Sequence, residues 1–493
     1  MLCRDKPFQI ITIKGLSRDE PFLVLNNNKL YKIKTRQIDI LVDTLTPVSI
    51  YQKIRSKYAE SILLESSDYG ANDNSYAYIC FNPISHICVN HNTVSKLFPD
   101  GKKEEVSLND NVDVVKEINN FCNQFSCGKN DKKFVNNGLF GYTNYDSVKY
   151  FENIKIIDKK NKIDIPDIYY AFYSNIIVIN VFNNNAKIFY HSLKNDNNLD
   201  YVKKIIFSNK TSSYPFSKIG EIKSNITDKQ YIDLVKKGVK HCMRGDVFQI
   251  VLSRRFNQKF RGDEFKLYRA LRSINPSPYL FYFDYGNFKI FGSSPEAQIV
   301  VNDNKAEIHP IAGTFRRTGN DFLDKKKALK LSKDDKENSE HMMLVDLARN
   351  DLSRNGSHVK IEKNREIQFY SHVIHLVSKV SCIKKNGAST FQIVSDTFPA
   401  GTLSGAPKHK AMQLIDRYEN CNRSFYGGAI GFMDFNGNFN HAIIIRSFLS
   451  KKYNLIFQAG AGIVSKSNPK NELQEVNNKL GALTNALKMA EKI

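Results

Sequence analysis

The sequence contains no stretch of about 18 or more uncharged apolar residues, so it offers no candidate for an apolar membrane-spanning helix. Its opening, Met1-Leu2-Cys3-Arg4-Asp5-Lys6, has neither the apolar core nor the small-residue cleavage site of a signal peptide, and the expected location is the cytoplasm. Cysteine is sparse and scattered. The eight residues (Cys3, Cys80, Cys88, Cys122, Cys127, Cys242, Cys382, Cys421) form no C-x-x-C pair, which argues against a disulfide framework or a thiolate metal centre and for buried reduced thiols. Also missing are a G-x-G-x-x-G fingerprint, a Walker A loop and an internal repeat. Strand-like and helix-like runs do not alternate regularly, so a dinucleotide-binding βαβ fold is not expected.

What the 493 residues have in excess is positive charge: 72 Lys+Arg against 50 Asp+Glu, a formal +22. Such a balance suggests nucleic acid or an anionic membrane as partner. Its distribution does not. The lysines are mixed with Asn and Asp in loop-like stretches such as Ile157-Asp158-Lys159-Lys160-Asn161-Lys162, without a basic stripe or interleaved aromatics. The excess reads as solvated surface, and neither nucleic acid nor membrane is an expected partner. A positive cleft for a small anion remains compatible with it.

Short β-type runs such as Ser75-Tyr76-Ala77-Tyr78-Ile79-Cys80 and Ile176-Ile177-Val178-Ile179-Asn180-Val181 fill residues 1–207, separated by Asn/Asp-rich turns. Residues 208–225 turn polar and lose periodicity, which marks them as a linker between an N-terminal domain and a second domain over 226–493. Thr227 and Gln230 have capping-box spacing ahead of a helical stripe that ends at Gly245. Phe281-Tyr282-Phe283 and Lys289-Ile290-Phe291 read as a hairpin around Asp284-Tyr285-Gly286-Asn287.

Several residues could carry chemistry. Glu337 and Glu340 share one face of a helix whose buried side is expected at Met343, Leu344 and Leu347. Glu472, Glu475 and Lys479 line a second helix beside the stripe Leu473, Val476, Leu480, Leu483 and Leu487. Four carboxylates from two helices would suit Mg²⁺, although an i,i+4 pair such as Glu475 and Lys479 is also an ordinary surface ion pair. Gly460-Ala461-Gly462 reads as a turn whose amides could approach an anion, and Pro399 to Lys408 as a loop with hydroxyls and free amides before a helix. Arg446, in the apolar run Ala442-Ile443-Ile444-Ile445-Arg446, reads as a guanidinium in a strand interior that requires an anionic partner. His375 stands between Ile374 and Leu376, where a histidine is more often a satisfied core residue than a catalyst.

Taken in order, these segments resemble the chorismate-utilising enzymes, and most closely their anthranilate synthase component I branch. The resemblance rests on Gly245-Asp246-Val247-Phe248-Gln249, Asn275-Pro276-Ser277-Pro278-Tyr279-Leu280, Ser293-Ser294-Pro295-Glu296, Pro310-Ile311-Ala312-Gly313-Thr314, Glu340 to Asp351, the Thr402 loop, Tyr426-Gly427-Gly428-Ala429, Arg446, Gly460 and the Glu472 helix. It covers essentially all of 225–490 and extends more loosely through Asp43 to Ser49 and Leu63-Leu64-Glu65-Ser66.

The resemblance implies an α+β fold of large antiparallel sheets packed as a sandwich with peripheral helices and a cleft for chorismate and Mg²⁺. Glu340 and Glu475 would ligate the metal, supported by Glu337 and Glu472. Gly313, Thr314, Thr402, Tyr426, Arg446, Gly460, Ala461, Gly462 and Lys479 would hold the substrate. Glu296 would be the general acid, which requires a carboxyl protonated near neutral pH. His375 would assist pyruvate elimination. Gln249 stands where isochorismate-forming relatives carry a water-activating Lys, and Ala312 where many aminodeoxychorismate synthases carry a nucleophilic Lys, so together they favour the ammonia-using, pyruvate-eliminating reaction that forms anthranilate, with the folate-pathway aminodeoxychorismate synthase component I as its alternative. Ser66, Pro278, Tyr279 and Leu280 resemble a tryptophan feedback site. No Gly-x-Cys-x-Gly glutaminase turn is present, so ammonia is expected from a separate glutamine amidotransferase subunit, component II, in a hetero-oligomer.

Overall fold

A computed structural model describes residues 30–66, 75–109, 112–128, 134–369 and 373–493, without the side chains of Thr314, Arg316 and Lys336. Cys3 lies outside the described residues. The frame is a pair of long strands, Tyr76–Asn90 and Ile168–Asn180, rich in Ile, Val, Tyr and Phe. The second is buried along nearly its whole length, so its hydrophobic alternation disappears, as expected for a strand covered on both faces. The two pair antiparallel with a register shift between Pro83 and Ser85, and Asn82 takes a φ of +61° there. Such a bulge bends the ladder and lets its two ends join different sheets.

From this ladder two antiparallel branches diverge. The first runs, in spatial order, through Ile62–Glu65, Tyr279–Asp284, Phe288–Ser294, Ser447–Lys451, Asn454–Ile463, Gln249–Gly262 and Phe216–Ser224. The second runs through Leu139–Thr143, Ala429–Met433, Phe439–Ile443, Ala297–Asn302, Lys305–Ile308 and Val373–Lys384, the last also pairing with Ile311–Arg316 and Gly356–Phe369. Phe281, Phe283 and Ile290 of the first branch share one core cluster with Phe140, Tyr142, Ile430 and Ala442 of the second. The inner faces therefore pack on each other as a sandwich.

Helices cover the outer faces. Asp228–Met243, Phe265–Ile274 and Pro469–Ala490 bury Val235, Leu271, Val476, Leu483 and Leu487 against the first branch. Val114–Cys122, Asp335–Ser353 and Thr390–Thr397 bury Ile118, Val345, Ala348 and Val394 against the second. The expected α+β sandwich with peripheral helices is the observed architecture. The Thr227/Gln230 capping box and the hairpin at 284–287 are also present.

Two local readings change. Residues 208–225 are not simply a linker, because Phe216–Ser224 is a strand paired with Gln249–Gly262. Only Phe216 of that strand is buried, so it carries no alternation to read. In the Asp335–Ser353 helix the buried positions are His341, Leu344, Val345, Ala348, Asp351 and Leu352, while Met343 and Leu347 are partly buried. Residues before and after the 208–225 segment contribute neighbouring strands to both branches: Ile62–Glu65 beside Tyr279–Asp284, and Leu139–Thr143 beside Ala429–Met433.

Candidate active site

The candidate site lies where the chain passes between the two branches. Phe288–Ser294 of the first branch continues through Pro295 and Glu296 into Ala297–Asn302 of the second. Phe439–Ile443 of the second returns through Ile444, Ile445 and Arg446 into Ser447–Lys451 of the first. The crossings lie side by side: the Ile443 amide donates to the Glu296 carbonyl at 3.0 Å and the Ser293 amide to the Arg446 carbonyl at 3.2 Å. Arg446 is thus not in a strand interior. Its φ of +49° places it in the left-handed region, where it breaks the ladder between two strands.

Glu296 accepts a hydrogen bond from the Thr402 hydroxyl at 3.1 Å. Burial pushes its carboxyl up from 4.5 to about 8, against the opposing pull of that hydroxyl and of the Arg446 and Lys479 charges. At neutral pH it is a protonated acid, the state expected of a proton donor. Thr402 sits in the short turn Gly401–Ser404, directly before the Gly405–Ala406 bridge to Gln249–Ile250.

Gly460 and Gly462 are strand residues, not a turn, opposite Ser253 and Val251 in the ladder of Asn454–Ile463 with Gln249–Gly262. The glycines are there for closeness. A Cβ on Gly460 would stand 2.7 Å from the Leu252 carbonyl oxygen, and one on Gly462 would stand 2.6 Å from the Gln249 amide nitrogen. Ala461 pairs with Leu252 and is buried. The Gly460 carbonyl accepts from Lys479 Nζ at 2.9 Å, and its amide meets the buried Tyr426 hydroxyl. Lys479 also pairs with Glu475 at 2.8 Å, with side chains 45% and 47% exposed. The ordinary i,i+4 ion pair and the reach toward Glu296 coexist in one lysine.

On the second branch, Gly313 has a φ of +64°, and a Cβ there would lie 2.7 Å from Leu331 Cδ1 and 3.1 Å from Glu337 Oε2. His375 Nδ1–H donates to the Gly313 carbonyl at 3.0 Å. Burial pulls its pKa below 6.5, the Gly313 bond opposes that, and the Arg446 charge adds to it. A neutral imidazole with Nδ1 protonated presents Nε2 as its basic nitrogen. Thr314 faces His375 in the backbone register, while its side chain lies outside the described residues. Ala312 pairs with Leu376.

The four carboxylates approach from two helices. Glu337 borders Gly313, Glu340 is one turn further along the same helix, Glu472 is buried, and Glu475 is held by Lys479. The structure does not bring them into one cluster: among the described residues no three acid, imidazole or thiol groups stand close enough to hold a metal ion. Their chemistry nonetheless fits Mg²⁺, which takes a few carboxylate oxygens and completes its shell with water and substrate.

The residues expected to form a feedback site are adjacent. Leu280 pairs with Glu65 across the strand ladder, which sets Ser66 beside Pro278 and Tyr279. Glu65 is buried and accepts from the Tyr268 hydroxyl at 2.7 Å and from Arg272 at 3.0 Å. Glu419 and Arg423, by contrast, have no marker in the sequence except i,i+4 spacing just before Tyr426. In the structure they form a deeply buried ion pair beside the Thr402 turn, with side chains 3% and 1% exposed.

A family model of the chorismate binding enzymes matches residues 61–485. Anthranilate synthase component 1 of Aquifex aeolicus is 36% identical, over 94% of this chain and 96% of its own. That of Acetivibrio thermocellus is 34% identical, over 94% and 97%. The crystal structure of anthranilate synthase component I from Streptococcus pneumoniae covers 90% of this chain and 99% of its own at a TM-score of 0.73 and 27% identity. A menaquinone-specific isochorismate synthase from Escherichia coli shares the fold at a TM-score of 0.71 and 18% identity. The spacing of an acid, a guanidinium, a lysine and a histidine around the sheet crossings thus stands in a framework common to these proteins, and the chain belongs to the anthranilate synthase component 1 family of chorismate-binding enzymes.

Proposed function

We propose that the chain forms anthranilate and pyruvate from chorismate and ammonia in tryptophan biosynthesis. The observation that carries this reading is Glu296, protonated at neutral pH and flanked by two cations. Chorismate is a dianion, and Arg446 and Lys479 supply complementary charge. Glu296 donates its proton to the departing C4 hydroxyl, which leaves as water while ammonia bonds to C2. His375 Nε2 takes the C2 proton as pyruvate is expelled and the ring becomes aromatic. Gln249 has no titratable amine to activate water, and its buried Oε1 has no hydrogen-bond partner among the described residues. An incoming ammonia can donate to it. Ala312 offers no nucleophile for a covalent adduct.

Glu340 and Glu475 would hold Mg²⁺, with Glu337 and Glu472 supporting them, and the ion would neutralise a substrate carboxylate. Glu475→Gln is expected to abolish Mg²⁺-dependent turnover with little change in melting temperature, since the side chain is half exposed. A Mg²⁺ titration of rate that superimposes on the parent's would remove Glu475 from the metal set. Glutamine-dependent turnover would come from a component II amidotransferase bound to this chain.

Purified protein with chorismate, Mg²⁺ and ammonium salt should yield fluorescent anthranilate. Failure to do so, or a product with the mass of aminodeoxychorismate, defeats the reading. Tryptophan titrated into the same assay is expected to inhibit through Ser66, Pro278, Tyr279 and Leu280, and no inhibition at saturating tryptophan would sink that assignment.

A further inference from the structure

Arg423 is 1% exposed and lies outside the substrate-binding set, yet three walls of the site meet on its guanidinium. Nε and NH2 donate to the two oxygens of Glu419, at 2.9 and 2.6 Å. NH1 donates to the Leu403 carbonyl at 2.5 Å and NH2 to the Val251 carbonyl at 2.7 Å. Glu419 Oε1 in turn accepts from the Ser253 amide and hydroxyl at 2.8 and 2.7 Å, and Gln458 donates to that hydroxyl at 2.8 Å. The Tyr145 ring lies 4.7 Å from the guanidinium and the Tyr426 ring 5.8 Å. A buried ion pair gains little net stability over apolar residues of the same volume. A fully satisfied buried network does fix geometry, because any displacement strands a desolvated polar group.

Leu403 is the residue after Thr402, and Thr402 holds the Glu296 carboxyl. Val251 and Ser253 belong to the strand that begins at Gln249. We propose that Arg423, held by Glu419, is a positioning residue that keeps the Thr402 hydroxyl on Glu296 and thereby sets how readily that acid releases its proton. This inference rests on Glu296 being the proton donor. The charged groups that face Glu296 are Arg446 and Lys479, with Asp351, paired to Lys408 at 2.6 Å, lining the small cavity behind it. Arg423→Lys leaves all of them in place and keeps the buried charge, but one ammonium cannot span Glu419, Leu403 and Val251 together. Because the Thr402 bond favours the ionised carboxyl, its loosening moves ionisation of Glu296 to higher pH.

The test is the pH profile of kcat in the ammonium-dependent assay for the parent, Arg423→Lys, Glu419→Gln and Thr402→Val. The expected result is a kcat loss of about 10-fold or more in each, the size of a small misplacement at a reacting centre. The alkaline limb should move upward in all three, and Arg423→Lys combined with Thr402→Val should move it no further than Thr402→Val alone. If Arg423→Lys does not fold, the milder Glu419→Gln decides by the same limb. A limb unmoved in the folded variants, with rates reduced only in step with melting temperature, overturns the positioning role. A parent without an alkaline limb overturns the Glu296 reading, and this inference with it.

Discussion

Glu296→Gln is expected to lower kcat by about 10²–10⁴-fold, the contribution typical of a positioned general acid, with KM little changed. The amide is close in shape, so Thr402 keeps a partner and the substrate keeps its seat, but no proton can be given to the departing hydroxyl. Parent activity should hold through neutral pH and fall as the pH rises through about 8, where the buried carboxyl ionises. The direction follows from the raised pKa: the acid form works, and base removes it. The same shift has a stability signature. The folded chain keeps this proton where the unfolded chain releases it, so the parent should lose stability as pH rises from 4.5 to about 8. Glu296→Gln should lack that contribution. Melting temperatures across this range separate a chemical defect from a folding defect, and a variant with rates within a few-fold of the parent would sink the proton-donor role.

Arg446→Asn tests the anion seat. Asparagine tolerates the left-handed backbone at this position, so the substitution removes the guanidinium with little added strain. Loss of charge-assisted hydrogen bonds costs about 2–3 kcal/mol, which corresponds to a rise in KM for chorismate of roughly 10²-fold. The alkaline limb should also move upward, because Arg446 is one of the charges that favour the ionised form of Glu296. Arg446→Lys should recover the limb but only part of the affinity, since an ammonium lacks the planar fork. An unchanged KM in the asparagine variant would show that the substrate carboxylates sit elsewhere.

The sequence reveals the candidate catalytic residues more readily than the geometry that joins them. His375 and Arg446 stand out because each is a polar group in an apolar run, a signal that survives without any coordinates, whereas Glu296, in Ser293-Ser294-Pro295-Glu296, is marked only by the family resemblance. That Arg446 lies at a crossing and not inside a strand does not show, because Ile444 and Ile445 continue the apolar run past the last ladder residue, Ile443. The same confusion affects Gly460 and Gly462. Glycine marks close approach as well as turns, and only pairing with Gln249–Gly262 distinguishes them. Phe216–Ser224 escapes notice because an edge strand with two wet faces has no hydrophobic period. The caps and the 284–287 hairpin were legible, since both depend on residues a few positions apart. Arg423 and Glu419 were not, because their partners Leu403, Val251 and Ser253 lie 20 or more positions away.

The paired crossings have a consequence for selectivity. The backbone of Glu296 is bonded to Ile443 and that of Arg446 to Ser293, so the separation of the proposed proton donor and the proposed anion seat follows the register of the two paired crossings. Side-chain rotamers can adjust where each group ends, but the span between their anchors belongs to the sheet. Ligands would then be sorted first by the distance from hydroxyl to carboxylate. An analogue that alters that distance should be rejected by variants with reshaped surface loops as firmly as by the parent, and relaxing this selectivity would require re-registering a strand.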